Sequence, residues 1–337
     1  FRGHTDDTFR LGISFKHGKT MKLYSGFYNS DIIVASPLGL RLAVEESEQG
    51  ATDYLSSIEM VILDQADVML MQNWEHVQWV FEHLSHLPEK PREEIDFARV
   101  RNSTLNRQAK FYRQSIVLTS TMNVDINTLF NRQCSNSFGR YKIRPSNLDG
   151  TASLILAPAA ALKQVFFRLD PPNVQAVDDL RFNYFTSQVW EHLSGTRSDG
   201  TLIVIPSYFD YLRVQKFFQK ALQTEEINVV NVSEYTKETR GIKYRKHFYT
   251  GRAQVMMITE RYHFYKRIRI RGIKSVIWYA PPLFPQLYSE IANWVEEGGS
   301  VLTLYTKYDS LNLEGIVGRN RCEAMLTSER TTHSLAS

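Results

Sequence analysis

Val61-Ile62-Leu63-Asp64-Gln65-Ala66-Asp67 is an apolar, β-branched run that passes straight into acidic residues. With Glu59 and Met60 before it, the run predicts a central parallel strand buried on both faces. Ligands of such sheets bind at the carboxyl ends of the strands, which is where nucleotide-dependent motors set carboxylates beside Mg²⁺. Asp64 falls there and is the candidate to hold a hydrated Mg²⁺. The next position is where a Glu would orient or deprotonate an attacking water, and here it is Gln65. An amide accepts no proton at neutral pH, so the site has lost its base.

Upstream, Asp31-Ile32-Ile33-Val34-Ala35 predicts a buried strand that ends in Ser36-Pro37-Leu38-Gly39-Leu40 and an amphipathic helix to about Glu48. Phe9 to Ser14 and Lys22 to Tyr24 flank His17-Gly18-Lys19-Thr20, the pattern of a hairpin. Gly18-Lys19-Thr20 also matches the tail of a phosphate-binding loop, but Ile13 stands where its first Gly belongs and no helix pattern follows. Downstream, helices are predicted over Val68–Leu87, with Trp74, Val77, Val80 and Phe81 at helical spacing, and over Ile95–Leu105. Phe111–Leu118 predicts a strand that leads into Thr119-Ser120-Thr121, followed by a helix from Asp125 to about Arg132.

Ser135 to Ala160 lacks periodicity and holds Pro145, Gly150 and Pro158, so the interdomain connection is expected in or just after it. The second half alternates again. Strands are predicted at Val165–Leu169, Thr201–Ile205, Ile227–Val232, Ala253–Thr259, Lys274–Tyr279 and Ser300–Thr306. Helices fall at Ala176–Leu193, Tyr208–Leu222 and Gln286–Trp294, and Glu234–Gly251 is a polar helical or loop stretch. The expected architecture is two α/β domains in tandem, residues 1–160 and 161–337.

The 337 residues suit two domains, and the 43% hydrophobic fraction is that of a folded chain rather than a disordered one. Cys134 and Cys322 are isolated, without zinc or disulfide spacing, which fits a reducing compartment. No apolar run reaches the roughly 18 residues that a membrane span needs, so a soluble intracellular chain is expected. Residue 1 is Phe in mid-pattern, which predicts a fragment whose N-terminal part, including any phosphate-binding loop, lies upstream.

In order along the chain, Ser30 to Leu40 resembles the strand and Thr-Pro-Gly-Arg turn that grips RNA in DEAD-box helicases, and Asp64-Gln65-Ala66-Asp67 resembles their Asp-Glu-Ala-Asp box. Thr119-Ser120-Thr121 looks like the Ser-Ala-Thr motif, Leu202 to Ser207 like the first strand motif of the second RecA-like domain, and Arg271-Gly272 like the Arg-Gly that follows. The resemblance implies an α/β fold of two RecA-like domains, the first N-terminally incomplete. It also marks departures. Gln65 replaces the catalytic Glu, and after Ala280-Pro281-Pro282 the stretch Leu287 to Trp294 carries no arginine finger. With these departures, Ser30 to Arg41 and Phe111-Tyr112-Arg113-Gln114-Ser115 look like the digestive organ expansion factor family, also called the U3 small nucleolar RNA-associated protein 25 family.

That resemblance implies a nucleolar pseudo-helicase of the small-subunit processome, needed for early pre-18S rRNA processing. Its partners would be pre-ribosomal RNA and U3 particle proteins, with no cofactor, membrane or small-molecule substrate. The degenerate nucleotide site would comprise Asp64, Gln65, Ala66, Asp67, Thr119, Ser120 and Thr121. An RNA-dependent ATPase with its phosphate-binding loop upstream, and a pure protein-interaction module, are the competing functions.

Between Lys237 and Lys274 stand twelve Lys or Arg against Glu238 and Glu260, an excess larger than the net +4 of the whole chain. Tyr244, Phe248, Tyr249, Tyr262, Phe264 and Tyr265 are interleaved. Charge with aromatics is the footprint of single-stranded RNA binding, and a solvated face with aromatics packed inward is the alternative. Arg267, Arg269 and Arg271 alternate with Ile268 and Ile270, which puts three arginines on one face. The candidate RNA-binding residues are Arg245, Lys246, Lys266, Arg267, Arg269 and Arg271, together with Ser36, Pro37 and Gly39. Ser36 and Pro37 could present a hydroxyl and backbone N–H groups to phosphate, or form an ordinary helix cap. His17, His76, His83 and His86 show no metal or triad spacing, and Trp74, Trp79 and Trp190 are expected as core anchors.

Overall fold

A computed structural model describes residues 6–16, 20–46, 53–84, 100–143, 150–155, 162–196, 199–222 and 227–335. The predicted turn His17-Gly18-Lys19, His86, residues 47–48, 85–87 and 95–99 of the predicted helices, and residues 144–149 and 156–160 of the expected connection lie outside them. The chain forms two compact units, residues 1–120 with 124–144, and residues 121–123 with 145–337.

In the first unit, β1 (Arg10–Lys16) pairs antiparallel with both β2 (Thr20–Leu23) and β3 (Ile32–Ala35). β4 (Met60–Leu63) pairs parallel with β5 (Gln114–Val117), Leu63 opposite Val117. Burial on both faces of β4 was expected, and the structure corrects this: Leu63 is buried, while Met60 and Ile62 are exposed. Among the described residues β4 and β5 form a two-stranded sheet, and the helical residues Val77, Phe81 and Ile126 of this unit are buried.

The helix expected over 68–87 is two, Ala66–Met71 and Trp74–His83. Asn73 divides them, because its side chain accepts the Glu75 N–H at 3.2 Å and so starts a helix instead of continuing one. Likewise, the strand expected from Phe111 opens as a helical turn, Ala109–Tyr112, before β5.

Among its described residues the second unit holds one seven-stranded sheet. Its strands are β6 (Lys163–Leu169), β7 (Thr201–Ile205), β8 (Val229–Val232), β9 (Val255–Thr259), β10 (Ile273–Trp278), β11 (Val295–Thr306) and β12 (Thr332–Leu335). Their order is β12-β6-β11-β10-β7-β9-β8. Every pairing is parallel except β12 with β6. β7 and β9 are buried along their whole length, as parallel strands covered on both faces must be. One face packs Ile203, Ile205 and Met257 against Val214 and Phe218 of the helix Tyr208–Ala221, and against Phe185 and Trp190.

Phe185 and Trp190 lie where the helix begun at Val177 widens into a π-helical stretch, Phe185–Trp190, before it continues to Thr196. The helices Ser310–Val317 and Arg319–Thr327 and strand β12 have no counterpart in the sequence reading. Cys134 and Cys322 are both buried as free thiols. No helix among the described residues is long and apolar enough to cross a membrane. Truncating Trp190, 2% exposed, to Ala should cost about 3–5 kcal/mol; urea unfolding measures this, and a loss under about 1 kcal/mol would mean the cluster is not the core.

Candidate nucleic-acid interface

The chain leaves β4 at Asp64 and turns through Gln65, which adopts a left-handed conformation with φ 53° and ψ 49°. Ala66 then donates its N–H to the Leu118 carbonyl at 2.9 Å, just past β5. The buried Asp67 carboxylate accepts the Ser120 N–H at 3.3 Å and the Ser120 hydroxyl. The structure thus gathers Asp64, Gln65, Ala66, Asp67, Thr119 and Ser120 at the carboxyl ends of two parallel strands, while Thr121 falls with the second unit. Asp64 and Gln65 are exposed there. One free carboxylate beside an amide can meet a cation or a hydrogen-bond donor, but it offers no general base next to Asp64. No group of three or more His, Cys, Asp or Glu among the described residues could hold a metal.

Ser36 caps the helix Pro37–Glu45, accepting the Gly39 N–H at 2.9 Å, and its hydroxyl donates to the Asp7 carbonyl. Gly39 is buried against the N-terminal segment: an added Cβ would sit 2.6 Å from the Phe9 carbonyl oxygen and 2.7 Å from that of Thr8. Ser36 and Gly39 therefore serve the packing of the first unit in this conformation, and Pro37 is the first residue of the helix.

The basic stretch of the second unit folds into three connected pieces. The helix Glu238–Tyr249 carries Arg245 and Lys246, and the helix Glu260–Lys266 carries Lys266. Arg267, in the left-handed region at φ 48°, ends the second helix and starts the segment that leads through Arg269 and Arg271 to β10. Arg245 joins the two helices by donating to the Tyr262 hydroxyl. Gly272, at φ 81°, lies against Tyr249, whose Cα would be 3.5 Å from a Cβ there. Arg245, Lys246, Lys266, Arg267, Arg269 and Arg271 therefore belong to one connected surface of the second unit.

Ten of the twelve cations from Lys237 to Lys274 are exposed, and Arg245 and Arg261 are half-buried. The aromatics divide. Phe248 and Tyr262 are core, whereas Tyr249 is 61% and Tyr265 47% exposed beside the cations. The segment alternates as its sequence suggested, with Arg267, Arg269 and Arg271 out and Ile270 buried. Arg267 is held by Glu290 at 2.9 Å and lies over the Phe264 ring. Among the described residues, no carboxylate pairs with Arg269 or Arg271.

Two residues that the sequence reading used only as charge or left aside organise this surface. Glu260 directly follows the buried strand β9 and is itself fully buried. Its carboxylate accepts the Phe284 N–H at 2.8 Å and the Leu283 N–H at 3.0 Å, which ties the loop after β10 to the base of the basic helix. Burial pushes its pKa up to about 7, against the pull of those two N–H groups. His263 is buried against Trp294 and 3.3 Å from Glu290, and burial lowers its pKa. The signal for Glu260 was present: an apolar strand running into a carboxylate, as at Asp64.

Residues 1–141 match the family described as UTP25, NTP hydrolase-like domain, and residues 155–335 the family described as Utp25, C-terminal domain. A U3 small nucleolar RNA-associated protein 25 homolog of Xenopus tropicalis is 40% identical over 342 residues, covering 99% of this chain and 44% of that protein. Its Homo sapiens counterpart is 39% identical, covering 99% and 44%. The U3 small nucleolar RNA-associated protein 25 of Schizosaccharomyces pombe is 42% identical, covering 96% and 50%. The chain spans about half the length of the curated relatives it matches. Among solved structures, a DEAD box protein of Methanococcus jannaschii is 15% identical with a TM-score of 0.36, covering 86% of this chain and 64% of that one.

Gly39→Ala tests the packing role. Alanine is normally favoured in a helix by about 1 kcal/mol over glycine, but overpacking against the Thr8 and Phe9 backbone should reverse the sign and destabilise by about 1–3 kcal/mol in urea unfolding. Glu260 predicts a pH dependence. From about pH 4.5 to 7 the folded chain keeps a proton that the unfolded chain has released, so stability falls as pH rises through this window and the cost is complete above about pH 7. The fall amounts to about 3 kcal/mol at most. Urea unfolding from about pH 5 to about pH 8 should show it in the native chain and not in Glu260→Gln, and persistence of the slope in the variant would assign it elsewhere.

Proposed function

This chain belongs to the U3 small nucleolar RNA-associated protein 25 family, and on that premise we propose that it is a helicase-shaped assembly factor which binds pre-ribosomal RNA without hydrolysing nucleotide. It would act in the nucleolus on early pre-18S rRNA processing, alongside U3 particle and small-subunit processome proteins. The observation that carries the reading is the connected basic surface of the second unit, where exposed Arg269 and Arg271 are free of carboxylate partners among the described residues and Tyr249 stands beside them. Exposed cations displace counterions from RNA phosphates, and exposed rings stack on unpaired bases.

Gln65 cannot take the proton of an attacking water, and Asp67 is committed to Ser120. The helix Pro285–Ala292, in the region where a helicase would carry its arginine finger, has no Arg and buries Leu287, Tyr288, Ile291 and Ala292. Loss of an arginine finger costs about 10³ to 10⁵ in rate on its own.

The test uses the full-length protein that contains this chain, with single-stranded pre-ribosomal RNA. Affinity should fall steeply between about 50 and 200 mM salt, and Arg269→Gln with Arg271→Gln should weaken it and flatten the log–log slope by about two. Neither the native protein nor Gln65→Glu should hydrolyse ATP with RNA present. RNA binding indifferent to salt and to both arginines would overturn the interface; clear hydrolysis by the native protein would overturn the non-hydrolytic reading.

A further inference from the structure

Helix Tyr208–Ala221 does not close over the edge strand β8. Between them lies an open cavity of about 520 Å³, within the range of about 300–1,000 Å³ usual for small-molecule sites. Its walls follow from periodicity. Tyr208, Tyr211 and Gln215 share one helix face, and Val229 and Asn231 share one strand face, with Ser233 just past the strand's end. The third wall is the start of the helix Glu238–Tyr249, which also carries the basic surface.

A helix packed on a sheet normally sets aliphatic side chains into this position, and here it sets tyrosines and amides around a void. Tyr208 stacks near-parallel on Tyr211, with centroids 5.9 Å apart, and meets Tyr235 edge-on at 5.1 Å. Tyr235 is 70% exposed at the mouth. Asn231 Oδ1 is buried and accepts no hydrogen bond from any described residue. A buried amide oxygen without a donor is costly unless something supplies one. The charged lining residues are Lys237 and Arg240, and no carboxylate is among the lining residues.

We propose that this cavity takes one unpaired nucleotide of a bound single-stranded RNA. Tyr208 and Tyr235 stack on the base, Asn231 accepts a hydrogen bond from its edge, and Lys237 and Arg240 hold the adjoining phosphate. Aromatic rings, amide groups and paired cations are the three parts that recognition of an unpaired nucleotide requires. The inference rests on the RNA-binding reading above and goes further by naming a base-stacking subsite at the opposite end of the helix from Tyr249.

The experiment measures binding of the full-length protein to a short oligouridylate, a short oligoadenylate, the same oligomers with abasic positions, and the free mononucleotides. Tyr235→Ala, at an exposed position, should weaken the intact oligomers about tenfold, within what one stacked base contributes, and leave the salt slope unchanged because stacking releases no counterions. Lys237→Ala should flatten the slope by about one. The abasic oligomers should bind the native protein and Tyr235→Ala alike. Equal binding of intact RNA by both proteins, with loss in the Arg269 and Arg271 variant, would overturn the subsite and leave the RNA interface standing. No RNA binding in any form would overturn the interface and the subsite together. A mononucleotide that binds as tightly as the oligomer would overturn the assignment to RNA.

Discussion

The second unit depends on β7 and β9 being covered on both faces. From Thr201 to Ile205 and from Val255 to Thr259 no residue is more than 1% exposed. A parallel ladder in that position satisfies its own backbone and leaves no room for unpaired polar side chains. Polar chemistry is therefore expelled to the strand ends. Ser207, Thr259 and Glu260 sit there, capping helices or gripping the next loop. The cost of burying a carboxylate at Glu260 is offset only in part by its two N–H donors, and what it secures is the placement of the loop after β10 beside the helix that leads into Arg267.

The first unit lacks a strand of this kind among its described residues. β4 is buried on one side only, and its terminal turn is held by hydrogen bonds to the segment after β5. Both features that resemble a nucleotide or RNA grip have structural employment in this conformation. Asp67 is spent on Ser120, and Ser36 with Gly39 locks the helix start against residues 7 to 9. Exposed Asp64 and Gln65 are what remains open, and neither completes a hydrolytic site.

The cations of the second unit are not equivalent. Arg245 and Arg267 build the surface, one by bridging to Tyr262 and the other by pairing with Glu290. Arg269 and Arg271 project from it, because Ile270 anchors the segment between them in the core. The same helix that brings Tyr249 beside this segment presents Lys237, Arg240 and Tyr244 to the tyrosine-lined cavity at its other end. One helix thus joins a charge-dominated region to a stacking-dominated one.

Local pattern alone placed most strands of the second unit, Thr201–Ile205 to the residue, because a run buried on both faces is apolar throughout and needs no partner to be read. It also gave the alternation of Arg267 to Arg271, the loss of a base at Gln65, and the carboxylate at the end of β4. It missed the last two helices and β12: the helices run only eight and nine residues, and β12 is four residues long and pairs with β6 far back in the chain. It did not divide the helix at Asn73, since a cap and an interior residue look alike until the backbone turns. Tertiary structure alone decided which aromatics of the basic stretch face inward, that Glu260 is buried and bonded to residues 283 and 284, and that residues from 208–215 and 229–244 enclose a cavity. Each of these joins residues far apart in the chain through packing, and periodicity reports only the face a residue occupies, never what stands opposite it.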